Sequence, residues 1–273
     1  MFKKTVLVAG VALAVSVSAQ ADYRWEVDAA AGRTNIDLGP VDGDIDEFAI
    51  GGSFFLDSVD TTKGPLSEAA FLDQASNISA VYVYTDLDDI IEDLDGDQYG
   101  ISGRYVLGLD SIPLIFEGSY SRATPDFSDI DTYTLGFGAY VTDTTTVVAT
   151  FGNIDVDEGG DTDFYELSVK HLWALSNDGS IVLEGNYGSV DVDDGDDVDV
   201  FNVGATWYVN NNLGFGARYG DFDAGGAEAE GFAVFSEWFI NEQIAVSAAY
   251  DYSELDNTDV EIESFVIGAR FRF

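Results

Sequence analysis

Alternation of apolar and polar residues with a period of two constrains the fold of this chain more than any other feature. Phe201, Val203 and Trp207 fall on one side of an extended strand, and Asn202 and Thr206 fall on the other. Such segments recur at 23–32, 46–56, 77–86, 97–107, 113–123, 131–141, 145–155, 163–174, 180–190, 198–209, 213–221, 230–240, 243–253 and 261–273. The pattern predicts an all-β fold of about fourteen strands, with twelve or sixteen as alternatives.

The length of these segments and the links between them leave two architectures open. Links such as SNDGS (176–180) and NNN (210–212) contain turn-forming residues. The segments have about the 9–11 residues that a tilted strand needs to cross a bilayer. A soluble β-sandwich also alternates, because it buries one face of each sheet. Alternation alone therefore does not separate a sandwich from a membrane barrel.

The placement of tryptophan and tyrosine separates the two architectures. Trp25 opens the first segment, and Trp173, Trp207 and Trp238 lie near the ends of even-numbered segments, so all four fall at one end of the sheet. Most tyrosines fall at the other end: Tyr84, Tyr99, Tyr120, Tyr133, Tyr165, Tyr187, Tyr219, Tyr250 and Tyr252. Two aromatic belts are typical of a transmembrane β-barrel, because these rings prefer the headgroup zone. The sequence therefore predicts a closed antiparallel transmembrane barrel.

Residues 1–21 have the organisation of a secretory signal peptide. Lys3 and Lys4 precede an apolar run at 6–17, and Ala19-Gln20-Ala21 forms a small-residue cleavage site. A retained anchor helix is disfavoured, since no stop-transfer segment follows. We expect export, with residues 22–273 forming the barrel, its first and last strands pairing to close the sheet.

Charge and cysteine content narrow the classes of partner. The chain has 51 acidic and 11 basic residues, a formal net charge of −40 and no cysteine. This charge excludes nucleic acid as a partner, because phosphates would be repelled. Disulfides contribute nothing to its stability.

The polar side of the strands carries charged residues that we expect to line a water-filled interior. Burying them against lipid would be costly, at about 2–4 kcal/mol for a midplane Arg or Lys. The predicted pore-lining residues are Arg24, Glu26, Asp28, Arg104, Glu117, Glu166, Lys170, Glu184, Arg218, Glu237, Asp251, Arg270 and Arg272.

Two segments resemble known outer-membrane proteins. FVIGARFRF (265–273) resembles the terminal assembly signal of Gram-negative barrels, which implies that Phe265, Ile267, Phe271 and Phe273 are read by the barrel-assembly machinery. GPLSEAAFLDQAS (64–76) is similar to the GPLxEAAFL segment of a gammaproteobacterial family of putative general porins. The resemblance implies a porin-like channel in the outer membrane, among its lipids and lipopolysaccharide, without a catalytic site.

Residues 65–74 have helical character within this otherwise β-rich chain. Pro65 suits a first helical turn, and Ala69, Ala70, Phe71 and Leu72 follow it. We expect a short periplasmic helix whose Phe71 and Leu72 dock on the barrel rim. The helix could be a partial plug, a periplasmic contact or simply a packed turn.

The sequence gives little support to catalysis, metal binding or the transport of hydrophobic substrates. The single histidine, His171, falls on the lipid-facing side, whereas a catalytic triad needs histidine beside a nucleophile and an acid. The acidic links at 86–97, 155–163 and 191–199 lack the spacing of a calcium-binding loop. A transporter of hydrophobic substrates would need a plug domain before the first strand. We therefore expect no enzyme activity, no cofactor and no dedicated metal site.

The sequence predicts an outer-membrane channel for passive diffusion of small hydrophilic solutes or ions, with a weak preference for cations. The alternative is a structural or adhesive barrel that has acidic surface loops and conducts little. The sequence leaves open the solute, the oligomeric state and any binding of divalent cations by the loops.

Overall fold

Fourteen antiparallel strands close into one barrel in the computed structural model. It describes residues 22–38, 42–88, 94–109, 112–125, 129–157, 160–175, 179–191, 197–223, 228–255, 258 and 260–273. The strands are β1 (Tyr23–Leu38), β2 (Asp42–Val59), β3 (Asn77–Asp88), β4 (Leu94–Leu107), β5 (Leu114–Pro125), β6 (Ile130–Thr142), β7 (Thr145–Val156), β8 (Gly160–Ala174), β9 (Ser180–Asp191), β10 (Val198–Asn210), β11 (Leu213–Asp223), β12 (Glu228–Asn241), β13 (Ile244–Leu255) and β14 (Val260–Arg272). Because β1 pairs with both β2 and β14, the sheet has no free edge. The predicted signal peptide and parts of the three acidic links lie outside the described residues.

Each predicted strand overlaps one observed strand, and the largest differences occur in β1 and β2. These strands extend to Leu38 and from Asp42, where residues such as Asn35 and Asp44 remain paired across the hairpin. Polar side chains there do not prevent pairing, because the ladder hydrogen bonds form between backbone groups. The periodic apolar signal therefore ends before the strands do.

Short turns identify one end of the barrel as periplasmic, since outer-membrane barrels have their short turns on that side. The Asn210 side-chain oxygen accepts hydrogen bonds from the backbone N–H groups of Asn212 (2.8 Å) and Leu213 (3.0 Å). Asn241 does the same for Gln243 and Ile244. Asparagine closes these turns locally, because its side chain can replace a backbone acceptor.

The outer face carries the two aromatic bands that the sequence predicts. The four tryptophans lie at the periplasmic end and are each about half exposed on the isolated barrel. At the other end, tyrosines on neighbouring strands face one another, as in Tyr82–Tyr99 and Tyr120–Tyr133. Several hydroxyls in this band donate to carboxylates one strand away, including Tyr187 to Asp199 at 2.8 Å.

The predicted helix forms in the connection between β2 and β3. Leu66–Glu68 makes a 3-10 turn that continues into an α-helix, α1 (Ala69–Leu72). The backbone N–H groups of Gln74 and Ala75 then bond back to the carbonyls of Phe71 (3.1 Å) and Ala70 (2.9 Å), while Gln74 adopts a positive φ of 53°. This is a Schellman ending, which normally uses glycine at the left-handed position. None of the described helical segments has the length and apolarity needed to cross a bilayer.

Candidate functional site

The connection between β2 and β3 enters the periplasmic end of the barrel, and we call residues 60–76 the plug. Its helical part contacts inward-facing side chains of strands on several sides of the lumen. Phe71 and Leu72 therefore pack on the inner wall, and the expectation that they dock on the rim is wrong. They do so because buried apolar side chains such as Ile115 and Val182 line this part of the inner wall.

Apolar side chains of the plug fill four small clusters. Each cluster joins a plug residue to buried residues near the periplasmic ends of strands. Ala69 packs with Tyr23, Phe55 and Val59; Leu66 with Phe239 and Ala245; Phe71 with Ile115, Tyr140 and Val148; and Phe71 and Leu72 with Leu172, Val182 and Tyr208. Burial of this apolar surface, at about 25 cal/mol per Å², stabilises the inward position of the plug.

The buried carboxylate of Glu68 contacts β8 and β10, on the side of the barrel opposite β2 and β3. One of its oxygens accepts a 2.9 Å hydrogen bond from the Tyr208 hydroxyl, and the other lies 2.8 Å from the Lys170 ammonium. The Lys170 ammonium also lies 5.0 Å from the centre of the Phe71 ring. A buried carboxylate without such partners would be strongly destabilising, so these contacts determine where the plug docks.

A second polar contact joins the plug to β12 and β14. The Arg272 guanidinium donates to the Leu66 carbonyl at 2.8 Å and to Glu26 at 2.6 Å, between the rings of Tyr23 and Phe239. The Ser67 hydroxyl donates to Glu237. Arg272 is only 2% exposed, so it supports the plug from inside the wall.

The network around Arg270 adjoins this contact. Its guanidinium lies 2.7 Å from Asp28 and 2.9 Å from Glu237, and 3.6 Å from Glu26. Five predicted lumen residues, Glu26, Asp28, Glu237, Arg270 and Arg272, thus form one ion-pair network. Their charges mostly compensate one another.

The outer part of the plug is closed by its own polar contacts. Lys63 forms an ion pair with Asp73, whose carboxylate also accepts a hydrogen bond from the backbone N–H of Asp60 at 3.1 Å. Hydrogen bonds from the hydroxyl and the backbone N–H of Thr62 hold the pKa of the Asp60 carboxyl below its usual range.

Above the plug the lumen is polar and contains a cavity of about 430 Å³. Arg104 pairs with Glu117 at 3.3 Å, and Lys170 pairs with Glu184 at 2.7 Å. Glu166 accepts a hydrogen bond from the Asn186 amide at 2.9 Å. All of these predicted lumen residues line the cavity.

Arg218 and Asp251 complete the inward-facing predicted set. Both line a second cavity of about 380 Å³, and Arg218 also lines the first. The Arg218 guanidinium lies 5.9 Å from the centre of the Phe235 ring. Within the described part of the chain it has no carboxylate partner.

Arg24 lies elsewhere, contrary to the prediction that it lines the pore. The backbone N–H groups of Arg24 and Trp25 both donate to the carbonyl of Phe273, which produces a bulge in β1. The bulge turns the Arg24 guanidinium to the carbonyl of Leu56 and to within 5.4 Å of the Phe54 ring, beside the outward-facing Trp25. Because two residues here oppose one, the alternation shifts by one position.

The predicted assembly-signal residues lie along the outer face of β14. Phe265 and Ile267 are more than half exposed on the isolated barrel, and the Phe271 and Phe273 rings contact each other. Phe273 also stacks on Trp25 across the closing pair of strands. The placement leaves these side chains available to lipid.

His171 lies on the outer face, where its ring contacts Trp173 edge-on and its Nδ1 lies 2.7 Å from the Thr145 hydroxyl. This is an interfacial environment and contains no carboxylate partner for the ring among the described residues. In the same part of the chain, no group of three acidic or histidine side chains is arranged to hold a metal ion.

The sequence analysis predicted Lys170, Glu237 and Arg272 as lumen residues but missed the aromatic residues that dock the plug, although a signal was present. Tyr140, Tyr208 and Phe239 are large aromatic residues on the inward phase of their strands, where small or polar residues predominate and Phe235 is an exception. All lie within a few positions of a periplasmic strand end. Apolar residues on the polar phase at one end therefore indicate an object inside the barrel.

Comparison with known proteins agrees with this architecture. The crystal structure of the outer membrane protein Omp33 of Acinetobacter baumannii is similar, with a TM-score of 0.68 and 22% identity over 93% of this chain and 99% of that chain. The TodX deltaS2S3 mutant, a monoaromatic hydrocarbon channel, has a TM-score of 0.54 and 9% identity over 93% of this chain and 91% of that chain. These likenesses show the fold alone.

Sequence comparison identifies the family. A search of curated proteins found no match. The family described as "Putative general bacterial porin" matches residues 1–178, which is more than half of the chain. The chain therefore belongs to this family of outer-membrane porins, which are non-enzymatic channels.

Proposed function

We propose that small hydrophilic solutes and ions cross the outer membrane through this barrel by passive diffusion. The observation that carries the proposal is the cavity above the plug, which lies inside a closed barrel and is lined by charged, hydroxyl and amide side chains. Barrels with more than about eight strands leave interior space that their own side chains do not fill. A polar wall keeps that space hydrated.

We further propose a weak preference for cations. The formal net charge of −40 arises from 51 acidic residues, many of them in the links at the tyrosine end. Acidic groups at a mouth with low-dielectric walls concentrate cations. The lumen contributes a smaller excess of acid, because most of its arginine and lysine side chains pair with carboxylates and offset them. The mouth should therefore set the selectivity, and the preference should be modest.

The plug favours a second candidate, a structural or adhesive barrel with little conductance. Its contacts with β8, β10, β12 and β14 hold it across the periplasmic end of the lumen, where it obstructs any route through the barrel. If these contacts leave no continuous water, the barrel would serve through its outer loops. The two candidates differ in one measurable property, the conductance of the intact protein.

Planar-bilayer recording of the purified protein tests the proposal. We expect a small, reproducible single-channel conductance for the wild-type protein. A larger conductance should follow when residues 66–74 are replaced by a shorter Gly-Ser linker. Gly185→Val, which adds a side chain on the outer face of β9, serves as a folded control with unchanged conductance. A wild-type protein that conducts no more than the bare bilayer would contradict the channel proposal and favour the second candidate.

A further inference from the structure

One row of lumen residues crosses four neighbouring strands above the plug. In the register of β8 to β11, Lys170 is opposite Glu184, Glu184 is opposite Gly204, and Gly204 is opposite Arg218. Adjacent strands are about 4.8 Å apart, so the Cα atoms of Glu184 and Arg218 are separated by roughly 10 Å. Gly204 lies between them without a side chain. The row therefore has a gap with a carboxylate on one side and a guanidinium on the other.

Arg218 differs from the other basic groups of the lumen, and Glu184 keeps part of its side chain exposed. Arg104, Lys170, Arg270 and Arg272 each pair with a carboxylate. Within the described ranges, Arg218 has no ion pair or side-chain hydrogen bond, and its ring contact is with Phe235. Glu184 contacts Lys170 on its far side but remains 44% exposed. Each group can thus accept a further partner.

The surroundings of the gap supply space and hydrogen-bonding groups. The cavity of about 430 Å³ is lined by Glu184, Gly204 and Arg218 and by the amides of Asn186 and Asn202, which are opposite each other one row away. Guanidinium groups bind carboxylates through paired hydrogen bonds, and a carboxylate binds an ammonium group. The spacing suits a molecule with both charges on a short backbone.

We propose that this gap is a binding site for small zwitterionic solutes of the α-amino acid class. Arg218 binds the solute carboxylate, Glu184 binds its ammonium group, and Gly204 provides the space between them. The inference rests on the proposed function, because the solute must reach the lumen. A simple anion is disfavoured because the net charge of −40 repels it, and a simple cation would leave Arg218 without a partner.

Asp251 provides an internal comparison for this assignment. Asp251 lies two strands from Arg218, on the side away from Glu184, and the buried Ala233 lies between Arg218 and Asp251. A side chain occupies the intervening position there, whereas Gly204 leaves it empty. We therefore expect Glu184, and not Asp251, to bind the ammonium group.

Equilibrium dialysis of the detergent-solubilised barrel with radiolabelled L-alanine tests the site without requiring transport. Propionate and ethylamine, which carry one charge each, are the matched probes. We expect saturable binding of alanine that is at least tenfold tighter than binding of either probe. Arg218→Gln and Gly204→Val should each weaken it at least tenfold. A Cβ at Gly204 meets its neighbours only at 3.5 Å or more, so the second variant should fold.

Two variants serve as controls, and heat-modifiable electrophoretic mobility confirms folding of all of them. Gly185→Val adds the same side chain on the outer face of the adjacent strand, where a Cβ also meets its nearest neighbour at 3.5 Å. Asp251→Asn removes the carboxylate on the other side of Arg218. Both variants should bind alanine normally. Alanine binding no tighter than that of the probes, or unchanged by Arg218→Gln, would overturn the site. Loss of binding in Asp251→Asn would overturn the role of Glu184. Because binding is measured in solution, absence of conductance in bilayers would contradict only the proposed function.

Discussion

The carboxylate of Glu68, in the plug, lies 2.8 Å from the ammonium of Lys170, on β8. The two residues are distant in sequence, and both lie inside the periplasmic end of the barrel. Lys170 also pairs with Glu184, which borders the gap at Gly204. One ammonium group thus connects the plug to the proposed solute site.

Glu68→Ala should destabilise the barrel by about 1–3 kcal/mol, because it leaves Tyr208 without its acceptor and removes a buried ion pair. Glu68→Gln should cost less, since an amide oxygen can still accept from the Tyr208 hydroxyl. Urea unfolding in lipid vesicles measures both. Equal stability of Glu68→Ala and the wild type would show that the contact does not hold the plug.

Gln74→Gly should stabilise the plug by about 0.5–1 kcal/mol. Gln74 has a φ of 53°, a conformation that costs little for glycine and more for residues with a Cβ. The same unfolding assay checks this, with Gln74→Ala as the control that keeps the Cβ. A loss of stability in Gln74→Gly would mean that the glutamine side chain makes a compensating contact.

Arg218→Cys should react with a water-soluble maleimide in reconstituted vesicles, whereas Ala217→Cys should not. The two positions are adjacent in β11, and alternation places the first toward the lumen and the second toward lipid. Mass spectrometry after labelling gives the extent of each reaction. Preferential labelling of position 217 would show that the inner and outer faces of the barrel have been assigned the wrong way round.

Phe273→Ala should reduce the amount of membrane-inserted protein more than Phe232→Ala does. Both rings are exposed on the outer face, but Phe273 stacks on Trp25 at the closing pair of strands and belongs to the predicted assembly signal. Quantifying folded protein in outer-membrane fractions compares them. Equal losses of inserted protein would show that Phe273 has no special role in assembly and acts only as part of the aromatic band.

Reversal potentials in a KCl gradient should show a cation preference that weakens as salt rises. The screening length falls from about 10 Å at 0.1 M to about 3 Å at 1 M, so a preference set by the acidic mouth must fade. Anion preference at low salt would show instead that lumen cations such as Arg218 control passage. A preference independent of salt would place the selective charges inside the barrel.

The alternation of residues, the sorting of tryptophan from tyrosine and the helical segment at 65–74 were readable from the sequence. The closed fourteen-strand barrel, the outer-membrane location and the porin family are confirmed. These features depend on local periodicity and on the preference of each side chain for lipid, headgroups or water. Such preferences do not require knowledge of which strands meet across the lumen.

Tertiary structure alone decided the position of the plug and the direction of Arg24. The site that holds Glu68 needs Lys170 and Tyr208, which only barrel closure brings together. The bulge that turns Arg24 outward exists because the carbonyl of Phe273, at the far end of the chain, accepts two N–H groups from β1. Neither relationship has a local signature, because each depends on contacts between residues that are remote in sequence and become neighbours when the sheet closes.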